Sequence, residues 1–290
     1  MIPAPFDYHR PASIDEAIGL LSRYGADAKV LAGGMSLLPT MKLRLGSFAH
    51  LVDISRIAAL EYIREEKGVV RIGAGTRQAT LERSEIIKGR FAVLADAIPL
   101  IADPLVRNRG TIGGNVANGD PANDGPAIMI ALGAELVARG PKGERSIPAN
   151  RFYKELFVTE LQPDEILVEL RLPVPPARSG SAYKKLKRKT GDYAAAAVAV
   201  QLTLDSKGAV ERCGIGLTNV APTALQAGEA EKFLVGKAPD EKTVNEAAKL
   251  AAKACSPSAD RRGSVEYKRE MTRVMATRAL RAALERAGKG

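Results

Sequence analysis

Two pairs of adjacent glycines constrain this chain more than anything else in it. One lies in A-G-G-M-S, residues 32–36, and the other in T-I-G-G-N, residues 111–115. The first pair follows an apolar run, Val30-Leu31-Ala32, that reads as a buried strand. Glycines packed behind a strand mark a place where backbone must come close to something. Strand, glycine turn and helix start together make an anion site, because unsatisfied N–H groups and the positive helix end point at the loop. The first loop lacks the lysine of a Walker A element and does not fit G-x-G-x-x-G. The bland alternative is a tight turn without a ligand. Two such loops, far beyond the reach of a local turn motif, suggest a clamp on one extended, phosphate-bearing ligand.

The second loop is richer. Residues 111–125 carry four glycines, three asparagines and two aspartates, and long polar loops in compact domains tend to be functional. Thr111 and Asn115 are candidate donors to phosphate oxygens, with Gly113 and Gly114 offering bare N–H groups. Asp124 suits a ribose hydroxyl or a ring N–H. Equally, it could cap a helix starting at Pro126.

The chain has 290 residues, 46% of them apolar, enough for one large domain or a few small ones. No apolar run is long enough to span a membrane, and the N-terminus lacks the pattern of a secretory signal. The expected location is the cytoplasm. Two cysteines, Cys213 and Cys255, are too few to hold an iron–sulfur cluster, and His9 and His50 have no ligand-like spacing. The formal net charge is +10, yet aromatics make up only 4% and tryptophan is absent. A nucleic-acid partner is therefore disfavoured, since single-strand binders need stacking platforms.

The periodicity predicts an α+β protein. A helix is predicted over residues 11–25, with Ser13 as N-cap and Glu16 completing a capping box. Strands follow at 28–32 and 50–54, flanking a helix capped by Ser36. Hairpins are predicted across residues 66–68 and 140–143, helices over 78–87, 91–101 and 126–132, and a strand over 166–172. The run Pro173-Val174-Pro175-Pro176 reads as a linker. Beyond it come strands at 194–204 and 210–218, then helices at 224–234, 244–254 and 265–287. The domains expected are 1–57, 58–176 and 177–290. The basic run from Lys184 to Lys189 has two readings. One is an edge strand whose lysines blunt aggregation; the other is functional, with one lysine serving a ligand and the rest facing a partner.

Together, A-G-G-x-S and T-I-G-G-N resemble the FAD-binding medium subunits of the molybdenum hydroxylases, the xanthine dehydrogenase group. The resemblance runs the whole length. It is narrowest to the aerobic carbon monoxide dehydrogenase branch, through L-A-G-G-M-S-L-L-P-T-M-K-L-R-L, L-I-A-D-P-L-V-R-N-R-G-T-I-G-G-N, G-D-P-A-N-D and Y-K-K-L-K-R-K-T-G-D-Y-A. It implies an FAD-binding fold of the vanillyl-alcohol oxidase (PCMH) type, with N-terminal and middle α/β subdomains. A C-terminal domain of a small antiparallel sheet plus helices completes it. It implies a noncovalent FAD whose pyrophosphate lies against Ala32, Gly33, Gly34, Met35 and Ser36 and against Thr111, Ile112, Gly113, Gly114 and Asn115. Ile101 and Leu167 would pack near the flavin or adenine, and Asp124 would hydrogen-bond the cofactor. Lys184 or Lys185 would approach the flavin, and Tyr193 would lie near the isoalloxazine ring. Met35 stands where close sequences of that branch carry histidine.

The same resemblance implies an electron-relay role within a dimer of heterotrimers. A molybdopterin-containing large subunit would oxidise the substrate and a small subunit with two [2Fe–2S] clusters would carry electrons. The FAD would pass them to an acceptor such as a quinone, at the inner face of the membrane through the complex. Xanthine, nicotinate, aldehyde or aromatic acyl-CoA hydroxylases would use the same module. From a different class, a basic non-redox scaffold also fits the composition.

Overall fold

The computed structural model of the chain describes residues 2–288. Its first sheet is parallel. β1 (Asp7–His9) and β2 (Ala28–Leu31) both flank a central β3 (His50–Asp53). Between β1 and β2 runs α1 (Ile14–Tyr24), which buries the stripe Ala17, Ile18 and Leu21. Ser13 caps it by accepting from Glu16 N, while the Glu16 carboxylate accepts from Ala12 N at 2.7 Å. α2 (Leu37–Lys42) follows β2. Ser36 stands at its N-cap position but makes no cap bond, contrary to the sequence expectation. Its backbone is already helical (φ −114, ψ −49), so the hydroxyl is not presented to the first-turn amides as an extended cap residue would present it.

The second sheet is antiparallel. It opens with the hairpin β4 (Ile63–Glu66) and β5 (Val69–Gly73), turning through Lys67 and Gly68, both at positive φ. The two helices predicted next are three: α3 (Gln78–Arg83), α4 (Glu85–Arg90) and α5 (Ala92–Ala97). Extended backbone at Ser84 ends α3, and its hydroxyl caps α4. Phe91 (φ −133) breaks the next turn and is fully buried in the core. Three short helices follow: α6 (Pro104–Arg107), α7 (Ile112–Ala117) and α8 (Asp124–Ala131). After the hairpin β6 (Glu135–Gly140) and β7 (Gly143–Pro148) come α9 (Ala149–Phe152), the small pair β8 (Tyr153–Glu155) and β9 (Val158–Thr159), and β10 (Ile166–Pro173). The order is β4-β5-β10-β6-β7, so β10 sits in the middle with five consecutive buried residues.

The third sheet is β11 (Ser179–Leu186), β12 (Ala196–Leu204), β13 (Val210–Thr218) and β14 (Leu225–Gln226), in that order. α10 (Gly228–Leu234), α11 (Glu241–Ala254) and α12 (Val265–Ala287) complete the chain. Strand alternation sorts its side chains. Tyr183, Ala197 and Ala199 enter the core of the second sheet, whereas Ala182, Ala196, Val198 and Val200 pack against the closing helices. β11 is an edge strand, but lysines are not its main protection. Tyr183 N donates to Asp96 Oδ2 at 3.1 Å, and Arg286 bridges Asp96 and the Ser181 carbonyl. Among the described residues, no helix is long and apolar enough to cross a membrane.

Bare backbone joins the second and third sheets. A Cβ at Gly214 would lie 2.1 Å from Ala131 O, and one at Gly216 would lie 1.9 Å from Ala127 O. Backbone of α8 thus rests directly on β13, which fixes where the start of α8 stands relative to β11. Gly216→Ala should lower stability by about 3 kcal/mol through overpacking of backbone that cannot yield. Urea unfolding checks this; an unchanged midpoint would refute the tight seam.

Candidate functional site

The first glycine loop leaves the C-terminal end of β2, where parallel sheets place their ligands. Gly34 has φ +75, a conformation that glycine adopts without strain. Among the described residues, the backbone N–H groups of Gly33, Gly34, Met35 and Ser36 have no protein acceptor. Four consecutive bare amides are a donor set suited to an anion. Gly33 has a second duty. A Cβ there would sit 2.3 Å from Arg109 O and 2.7 Å from Gly110 Cα, so the loop presses directly on the backbone that leads into the second loop.

The second loop differs from its sequence reading. Residues 112–117 form the helix α7, capped by Thr111, whose Oγ1 accepts from Gly114 N at 3.1 Å. Ile112 N donates to Thr76 O and Gly113 N to Ala74 O, each at 2.9 Å. The bare amides expected at Gly113 and Gly114 are therefore occupied. Gly113 is a packing glycine: a Cβ would fall 2.5 Å from Ala74 Cβ. Gly114 faces the first loop, with its Cβ position 3.9 Å from Ala32 Cβ. Asn115 Oδ1 accepts from Gly125 N at 3.0 Å, which leaves its Nδ2 free among the described residues. Met35 is 38% exposed and lies over Gly110. The loops do meet, yet the open donors belong to the first.

A second cluster forms where the second and third sheets meet. Asp124 is the first residue of α8, and Asn123 takes the N-cap position. Asp124 does not cap. Its Oδ1 accepts from Tyr183 OH at 2.5 Å and its Oδ2 from Lys185 Nζ at 2.8 Å. Burial pushes the Asp124 carboxyl up, against the pull of the Lys185 ammonium and the Tyr183 hydroxyl. Lys185, its side chain 2% exposed, also donates to Leu100 O at 3.2 Å, just before Ile101. Both carboxylate oxygens of Asp124 thus serve the protein itself. Lys184 lies on the opposite face of β11, with Ala182 and Leu186 and toward the closing helices, by strand alternation. Leu167 is buried in the second core. Tyr193 stands half-exposed at the end of a turn that passes through Gly191, at φ +78.

The sequence missed Arg109 and Gly110, which receive the first loop, and Tyr183, which completes the buried triad. Only the Tyr183/Lys185 spacing on a strand, two residues on one face, hinted at the latter.

The comparisons with known proteins fit this geometry. The family described as "FAD binding domain in molybdopterin dehydrogenase" matches residues 4–175, and "CO dehydrogenase flavoprotein C-terminal domain" matches 181–283. The chain is 49% identical to the carbon monoxide dehydrogenase medium chain of Hydrogenophaga pseudoflava over 99% of both proteins. It is equally similar to that of Afipia carboxidovorans, 49% over 99% of both. The solved carbon monoxide dehydrogenase from Hydrogenophaga pseudoflava that lacks the Mo-pyranopterin moiety superposes with a TM-score of 0.96, at 51% identity over 99% of each chain. The chain belongs to the FAD-binding medium chains of the molybdenum hydroxylase family. It is a subunit of an oxidoreductase, and FAD is its cofactor. In this family the molybdenum and iron–sulfur cofactors reside in partner subunits.

The buried triad carries its own prediction. Asp124→Ala leaves an ammonium and a phenol buried without their acceptor, and should cost ~3–5 kcal/mol. The pair Asp124→Leu with Lys185→Met should recover much of that in urea unfolding. A single variant as stable as wild type would show that the ion pair is not formed.

Proposed function

We propose that the chain is the electron-relay subunit of a carbon monoxide dehydrogenase, receiving electrons from the [2Fe–2S] clusters of a small partner subunit and passing them to an external acceptor such as a quinone. The single observation that supports it most is the row of bare amides from Gly33 to Ser36, opposed by Gly114 of the second loop. These residues fit a diphosphate: backbone donors on one side, and on the other a glycine whose missing side chain leaves room. When bound, FAD accepts electrons singly and passes them on, a task no side chain of the protein performs.

The rest of the site orients that cofactor without covalent attachment. Gly33, Gly34, Met35 and Ser36 donate to the pyrophosphate, with Ala32 closing the loop. Thr111, Ile112 and Gly113 serve chiefly by fixing α7, so that Gly114 and the Asn115 Nδ2 face the ligand. Ile101 and Leu167 form apolar walls. Lys185, held by Asp124, brings a positive field to the flavin side, a role that its burial favours over Lys184. Tyr193 covers part of the isoalloxazine. No sulfur or imidazole cluster competes for a metal among the described residues. Substrate oxidation falls to a molybdenum-containing large subunit, in a dimer of heterotrimers. Segments 1–57, 58–176 and 177–290 act as its three domains.

A second assignment shares every atom of this site: the same relay in a xanthine, nicotinate, aldehyde or aromatic acyl-CoA hydroxylase. Substrate never touches this chain, so the partner decides. Purification from the native host should return three kinds of chain with molybdenum, iron and near-stoichiometric FAD, and with carbon monoxide-dependent dye reduction. Activity on another substrate instead would transfer the chain to that enzyme. Gly114→Val should abolish FAD binding with only modest loss of stability, because the side chain enters the space between the loops. Unchanged flavin content in that variant would count against the loop assignment.

A further inference from the structure

Tyr193 lies at the seam between the second and third sheets. Its hydroxyl feels the charges of both Asp120 and Asp124, and burial raises its pKa. On one side the turn before it passes through Gly191, at φ +78. The other side is anchored by charge. The Arg262 guanidinium sits over the Tyr193 ring, 5.6 Å from its centroid. It also reaches Asp192 Oδ1 through Nη2 at 2.8 Å and Nε at 3.3 Å. Asp192 Oδ2 accepts from Arg188 Nε at 3.1 Å, and Arg188 Nη1 donates to Arg261 O at 3.2 Å. Arg262 and Arg188 hold the Asp192 carboxyl below its ordinary range.

Arg262 is itself fixed from behind. Its backbone N donates to Asp260 Oδ1 at 2.7 Å, and Asp260 Oδ2 is 3.0 Å from Lys268 Nζ. Lys268 is a buried lysine of α12 that also donates to Ser258 O at 3.0 Å. A chain of charges thus runs from inside the closing helix, through a segment without regular structure, to one half-exposed phenol ring. Loop stapling alone needs only the Lys268–Asp260 end of it. The Arg262 end holds an aromatic face in place, with the cation lying over the ring.

We propose that Arg262 is a positioning residue that holds Tyr193 over the bound flavin, so that the C-terminal domain sets how the ring face is covered. This rests on the placement of Tyr193 beside the isoalloxazine made under Proposed function. The protein contributes shielding and electrostatics here, and the redox chemistry stays with the cofactor.

The test uses the full chain loaded with FAD and freed of unbound flavin, read by flavin fluorescence, visible circular dichroism and FAD affinity. A phenol in contact with an isoalloxazine quenches its emission, so Tyr193→Ala should brighten bound FAD several-fold. Arg262→Gln should brighten it to a similar degree, and Arg262→Lys should stay close to wild type. Adding Arg262→Gln to Tyr193→Ala should change nothing further, because both act on one contact. FAD affinity should shift by less than about tenfold, since the phosphate loops are untouched. Should Arg262→Gln fold poorly, Asp192→Asn loosens the same anchor and should give partial brightening. A dark Arg262→Gln beside a bright Tyr193→Ala overturns the positioning role while leaving Tyr193 at the flavin. A dark Tyr193→Ala removes Tyr193 from the flavin, and the proposal falls with it.

Discussion

The site depends on one backbone contact. Gly33 lies so close to the Arg109 carbonyl and to Gly110 that no side chain fits between them. That contact joins the parallel sheet of the N-terminal segment to the helical layer of the second sheet. Without it the amides of the first loop would still be bare, but nothing would face them. Its partner contact, Gly113 on Ala74, locks α7 to the end of β5. Both glycines trade a side chain for proximity, and proximity brings two separate segments together.

Charge performs the corresponding task where the second and third sheets meet. Asp124, Tyr183 and Lys185 come from α8 and β11, and their mutual bonds cross the seam between sheets. Asp96 and Arg286 cross it again at the edge of β11. Buried ions are weak stabilisers relative to an apolar core, but leaving one unpaired is costly, so such pairs specify a single docking geometry. The backbone seam of Gly214 and Gly216 against α8 sets the distance, and the ions set the register.

Much of the architecture was legible in the sequence because it rests on local rules. The span of α12, the hairpin turns at Lys67-Gly68 and between Gly140 and Gly143, and the Ser13 cap all follow from periodicity and turn chemistry. The interruption near Phe91 was legible, falling between the helices expected over 78–87 and 91–101, but the break at Ser84 inside the first of them was not, although its serine is a cap-forming residue. Ser36 misled in the opposite direction: it is a cap-forming residue held in a backbone conformation that denies it the role. The amides of Gly113 and Gly114 misled most. A glycine pair announces bare backbone, but cannot say whether a ligand, Ala74 or a threonine hydroxyl takes it up.

By itself the sequence determined the class of fold, the first glycine turn and the family, since all three are written in residue identity and spacing. Tertiary structure alone decided which turn keeps its donors free, that Asp124 answers to Tyr183 and Lys185, and that Lys185 rather than Lys184 faces the seam. Each of those turns on a partner far away in the chain. Hydrogen-bond donors and charges are counted out only once distant segments have been brought within 3 Å of one another.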